Sequence, residues 1–130
     1  MELEKFISWH SDLPWSPGTV DCLTTVSDWL ITRGFDDAVT RFRGTYHDEA
    51  GFRAIIEKFG GAVGVFDPCA ESIGLVRIEK PRKGSVGVVG SSKNIHRQFG
   101  VIFNGERWLA RGEFGFVPIV ARPLAVWDDL

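Results

Sequence analysis

The chain has 130 residues, a formal net charge of −2 and 25% charged residues. That length specifies one domain with a core of its own. The charge is near balance and no five like charges run together, so neither nucleic acid nor an anionic membrane surface is an expected partner.

The two cysteines, Cys22 and Cys69, are too few for a disulfide framework. Neither stands in metal-ligand spacing with another Cys or His, so no metal and no cofactor are expected. Free thiols fit a reducing compartment. The first residues, "MELEKFISWH", lack the basic start and apolar run of a signal peptide, and the expected place of synthesis is the cytoplasm. No apolar stretch approaches the roughly 20 residues of a membrane span.

Leu3, Phe6, Ile7 and His10 recur at helical spacing and predict a short helix over 2–11. Pro14 and Pro17 then break the chain. Asp21 is placed to cap a helix that starts at Cys22. Its apolar face is Leu23, Val26, Trp29 and Leu30, and Gly34 ends it. Residues 36–43 read as one or two further helical turns closed by Gly44. Thr45 and Asp48 have capping-box spacing, with Asp in place of Glu. Phe52, Ile55, Ile56 and Phe59 follow at i, i+3, i+4 and i+7, and Gly60-Gly61 stop that helix. A short helix over 62–66 comes next.

From residue 74 the period changes to that of strands. Short, glycine-bounded runs predict strands near 75–79, 86–90, 99–103, 107–111 and 115–120. Asn104-Gly105 between two of them is a hairpin signal. "PLAVWDDL" reads as a closing helical turn. Helices first and strands afterwards give an α+β fold. Its N-terminal helices pack on a C-terminal antiparallel sheet of about five strands, in a single domain over 1–130.

Cys22 is the candidate nucleophile. Free N–H groups and the helix dipole at a first turn stabilise a thiolate, and the backbone at Cys22 can hold an oxyanion. The competing reading is a small apolar residue packed at a helix start. Cys69, in "DPCAES", reads as structural, near a proline turn. Among His10, His47 and His96, His47 reads as part of a helix start. His96 lies just before a strand, where a base for Cys22 would come from. Asp36-Asp37 and Asp48-Glu49 read as helix-start acids that complement the dipole. "KPRKG" reads as a solvated turn between strands, and no phosphate-loop motif is present.

The order Trp15, Gly18, Asp21, Cys22, followed by an antiparallel sheet, resembles the NlpC-type cysteine peptidases, which act on cell walls and have a papain-like fold. In that family a "W-G…D-C" turn leads into the nucleophile helix, and a later "H-V-G-I-Y-x-G" strand bears the catalytic His. Here the matching strand is "QFGVIFNG" at 98–105, and "KGSVGVV" at 83–89 stands for the strand before it. The resemblance spans roughly residues 14–112. It is narrower with a phage and prophage branch of the fold. The shared features there are Asp28–Leu30, Gly34, Arg43-Gly44 with Tyr46, Gly60-Gly61 and the late Trp127.

The resemblance implies a tail or tail-assembly role, with other tail proteins as partners and incorporation in a phage-like particle. Two departures bear on chemistry. Gln98 stands at the position of the family His, and the family's "GD" turn is Gly84-Ser85. An amide cannot take a proton from a thiol. His96, two residues earlier, would share a strand face with Gln98 at roughly 7 Å along it, as a displaced base. Two functions remain open. One is a structural or assembly protein on a peptidase-derived fold without its base, in effect a pseudoenzyme. The other is an active cysteine hydrolase, a peptidase or amidase that cleaves cell-wall peptide of peptidoglycan, or another amide, through Cys22 and His96.

Overall fold

The computed structural model describes all 130 residues. Four helices come first: α1 (Leu3–Ser11), α2 (Cys22–Thr32), α3 (Glu49–Phe59) and α4 (Ala62–Ser72). Six strands follow: β1 (Val76–Arg77), β2 (Val86–Gly90), β3 (Gln98–Phe103), β4 (Trp108–Gly112), β5 (Gly115–Ile119) and β6 (Pro123–Asp128). They form one antiparallel sheet in the order β1-β6-β2-β3-β4-β5. The architecture is α+β, as the switch of period along the sequence implies.

The sheet has six strands rather than about five. "PLAVWDDL" is not a helical turn: it is β6, between β1 and β2. Ala125, Val126, Trp127 and Asp128 are all buried. A strand covered on both faces carries a continuous apolar run, which periodicity cannot tell from helix. The strand expected at 75–79 is reduced to two residues at the sheet's edge.

Three helix boundaries also differ. Residues 38–44 form turns and no helix. The cap of α3 is Asp48 itself, whose carboxylate accepts from Gly51 N, while Thr45 Oγ1 donates to the Phe42 carbonyl. α4 runs on through Pro68 to Ser72, well past residue 66. Asp67-Pro68 reads locally as a boundary. Val65, Phe66, Cys69 and Ala70, all buried, occupy one face at helical spacing, and their packing outweighs the proline. Cys69 is therefore mid-helix.

The main core lies between the helices and one sheet face, where Val86, Val88, Ile102, Ala125 and Trp127 meet Phe6, Val26, Leu30 and Phe66. A smaller cluster of Val89, Val101, Trp108, Ala110 and Val126 covers the other face. Trp29 ties α2 to the turn before β2, its Nε1 donating to the Gly84 carbonyl at 2.8 Å. Ser85 follows that glycine and donates to the buried Asp128 carboxylate at 2.6 Å.

One feature of the sheet positions the candidate site. β2–β3 and β4–β5 each pair through five residues, whereas β3–β4 pair only through Ile102↔Leu109 and Phe103↔Trp108. Toward Gln98 the two strands part, and the start of α2 lies against β3 there.

Candidate functional site

Asp21 builds the start of α2. Its Oδ1 accepts from Leu23 N at 3.0 Å and Thr24 N at 2.9 Å, and Thr24 Oγ1 accepts from Asp21 N at 2.9 Å. This reciprocal cap satisfies N–H groups that the helix cannot. Oδ2 accepts from Gly18 N at 2.9 Å and from the Tyr46 hydroxyl at 2.5 Å. Gly18 has φ +88, and a Cβ there would lie 2.0 Å from the Tyr46 carbonyl oxygen. Only glycine fits that turn. Tyr46, a member of the "RG-Y" segment, is thus the outer brace of the cap, and burial beside Asp21 pushes its phenol up.

Cys22 is the first residue of α2, as its sequence position implies. Its carbonyl oxygen would be 2.8 Å from a Cβ at residue 100, so Gly100 lets the helix start press against β3. Burial pushes the thiol up to about 12. The neighbouring Asp21 carboxylate adds to the rise, and the N–H groups of Gly100 and of Cys22 itself oppose it. The helix start therefore does not activate this thiol. Its dipole acts against burial and an adjacent negative charge, and loses. The N–H groups of Leu23 and Thr24 are occupied by Asp21.

Gln98 opens β3 and is buried. Its Oε1 accepts from Ala62 N at 2.9 Å, and its Nε2 donates to the Ser91 carbonyl at 2.9 Å. The side chain thus caps α4 from the sheet and fastens the loop after β2. His96 is not on a strand. It lies in a 3-10 turn, Ile95–Arg97, and its Nε2 is 3.0 Å from Glu57 Oε1 of α3. The strand-face relation expected between His96 and Gln98 does not hold.

Cys22, His96 and Gln98 nevertheless line one open cleft of about 430 Å³. One wall is α3 and the 3-10 turn, the other the β4–β5 hairpin, and Trp15 and Pro17 lie across one end. Arg111 of β4 belongs to the second wall and is buried. It faces no carboxylate. Its Nε meets His10 Nδ1 at 3.3 Å, and its Nη atoms donate to the carbonyls of His10, Leu13 and Gly112. It closes the C-terminus of α1, as cations near helix ends do.

His10 is fully buried, and its Nε2 meets Asp28 Oδ2 at 2.9 Å. Asp28 also binds Arg43 at 2.7 Å, and Arg43 binds Asp37 at 2.7 Å. Asp37 is therefore no helix-start acid but the anchor of the 38–44 turns. Partial burial raises its carboxyl, but bonds from Arg43, Ser27 and Val39 hold it down at about 2. His47 is exposed and stands just ahead of α3. Cys69 is buried, and its thiol donates to the Val65 carbonyl. No three His, Cys, Asp or Glu side chains converge as a metal site would need.

Sequence reasoning gathered Cys22, His96 and Gln98, and the fold brings all three to one cleft. It missed Arg111 and Gly61. A buried arginine bonded to carbonyls leaves no spacing signal. Gly61 was legible only as a helix stop, whereas its place against Gln98 is a tertiary fact. No helix is long and apolar enough to cross a membrane. Neither the curated proteins nor the solved structures contain a match to the chain. Residues 1–128 match the family described as "Domain of unknown function (DUF6950)", and the chain belongs to that family.

Proposed function

We propose that this protein is a non-catalytic binding module. In this reading it is a degenerate NlpC-type domain of papain-like fold that serves in a phage-like tail or in its assembly. The observation that carries the loss of catalysis is Gln98. At the position of the family's base stands an amide whose two ends are both bonded, to Ala62 N and the Ser91 carbonyl. The thiol, pushed up to about 12, supports the same reading. General-base assistance is typically worth a factor of about 10²–10⁴, and a half-buried, protonated thiol without it is a poor nucleophile. The tail assignment rests on the sequence resemblance.

A second reading, an active cysteine hydrolase, has two observations in its favour. The N–H groups of Cys22 and Gly100 favour the thiolate, and His96 lines the same cleft. In that reading His96 leaves Glu57 to serve as the base. Incubation with peptidoglycan fragments, read by mass spectrometry, separates the two. The binding-module reading expects no loss of fragments, and a Cys22→Ala protein that enters tail particles as the wild type does. Turnover that vanishes in Cys22→Ala overturns it in favour of the hydrolase. Absence of the protein from both assembled tails and their assembly intermediates overturns the tail assignment.

A further inference from the structure

The polar groups deep in the cleft are already used within the chain. Asp21 receives donors on both carboxylate oxygens. Gln98 is bonded at both ends. Arg111 is directed away to the carbonyls behind it. The Cys22 thiol stays protonated. A ligand entering here finds no free charged or amide side chain at that depth, so burying a polar group there would cost free energy with little return. The apolar wall is the opposite case. Phe52, Ile56, Ile95, Phe99, Val117 and Ile119 line it. Phe99 is 37% exposed and Val117 47%, both large apolar side chains left open to solvent.

Charge is confined to the rim. Glu49, Arg53 and Glu113 are exposed there, and none of the three has an ion-pair partner. His96 is engaged by Glu57. Two carboxylates against one guanidinium leave the rim net negative.

We propose that the cleft binds a partner protein through one or two large apolar side chains flanked by basic residues. The apolar wall takes the side chains, and Glu49 and Glu113 face the flanking cations. The net negative rim disfavours the other apolar ligand of this size, a fatty acid with its carboxylate at the mouth. The inference rests on the binding-module reading and names its ligand. It differs from a site for cell-wall peptide, whose many polar and acidic groups would meet a largely apolar wall and a net negative rim with Arg53 as its one unpaired cation.

The test uses three capped peptides of matched length, Ac-KLFLK-NH2, Ac-ELFLE-NH2 and Ac-KSGSK-NH2, with decanoate as a fourth probe. Binding is followed by amide NMR shifts on the full chain at low salt. Saturable shifts at Phe99, Val117 and Ile95 are expected with the basic apolar peptide. The acidic one should bind about threefold or more weakly, and the polar one about tenfold or more weakly. Phe99→Asp should weaken binding by about tenfold without changing the thermal melt, while Phe114→Ser, at the exposed tip of the β4–β5 hairpin, should leave it unchanged. Equal binding of the polar peptide overturns the proposal. So does tighter binding of decanoate, or no cleft shifts at millimolar peptide. Hydrolysis of peptidoglycan fragments by a protein that still prefers the basic apolar peptide would sink the non-catalytic reading alone.

Discussion

Gly61 and Gln98 constrain each other. Gln98 Oε1 lies 2.7 Å from where a Cβ on residue 61 would stand, and it accepts from the next N–H, that of Ala62. Gly61 has φ +133, a conformation that side chains rarely adopt. The pair replaces an ordinary helix cap with one supplied across the fold. It gives the Gln98 amide a structural role at both of its ends.

Gln98→Ala should therefore cost stability and not merely clear the cleft. It strands a buried N–H and a part-buried carbonyl, with an expected loss of about 1–3 kcal/mol in urea melts. Gly61→Ala should cost at least as much, from backbone strain and the clash. In the double variant the clash is gone, so the two losses should sum to more than the measured total. Simple additivity would show that the contact is not the constraint.

Cys22 should react slowly. A thiol at about 12 has roughly a thousandfold less thiolate near pH 8 than an ordinary one, and its higher intrinsic nucleophilicity recovers a factor of about 20. Alkylation by iodoacetamide should run about 50-fold slower than a model thiol. Replacing Asp21 by Asn removes one cause of the rise and should speed it. Because the pKa is raised on folding, the thiol's contribution to stability is present below about pH 9 and lost as pH climbs toward 12. A reaction as fast as that of a free thiol at pH 7 would contradict the burial argument.

Thr25 is buried in α2, and its hydroxyl has no hydrogen-bond partner. Thr25→Val keeps the shape and removes the unsatisfied group. The expected change is a gain of about 0.5–1.5 kcal/mol, measured by chemical denaturation. A loss of similar size would mean that the hydroxyl makes a bond through water.

Asp37 carries acid sensitivity. Its carboxyl is held at about 2 in the fold, below its ordinary value, so it stabilises the protein above about pH 4 and that contribution fades as pH falls toward 2. With its partial exposure, the contribution is on the order of 1 kcal/mol. Asp37→Asn should lower stability at pH 7 and flatten the fall between pH 4 and 2. Parallel acid melts of the two proteins would exclude Asp37 as a source of that slope.

The sequence by itself determined the α+β class, the helix that begins at Cys22 under the Asp21 cap, and the order of the first five strands. Those features follow from local rules: apolar period, cap chemistry and glycine turns act over a few residues, and each is written where it acts. It singled out Cys22, His96 and Gln98, which line one cleft, but not the residues of α3, β4 and β5 that complete it. Tertiary structure decided the rest. β6 is a strand because β1 and β2 cover its edges and apolar layers cover its faces, and no local period records that. α4 continues through Pro68 because four buried side chains outweigh a local break. Above all, the Cys22 thiol is pushed up rather than activated, and the Gln98 amide is bonded at both ends. Burial, an adjacent carboxylate and two distant backbone partners set their chemistry, and residue type and spacing alone carry none of those terms.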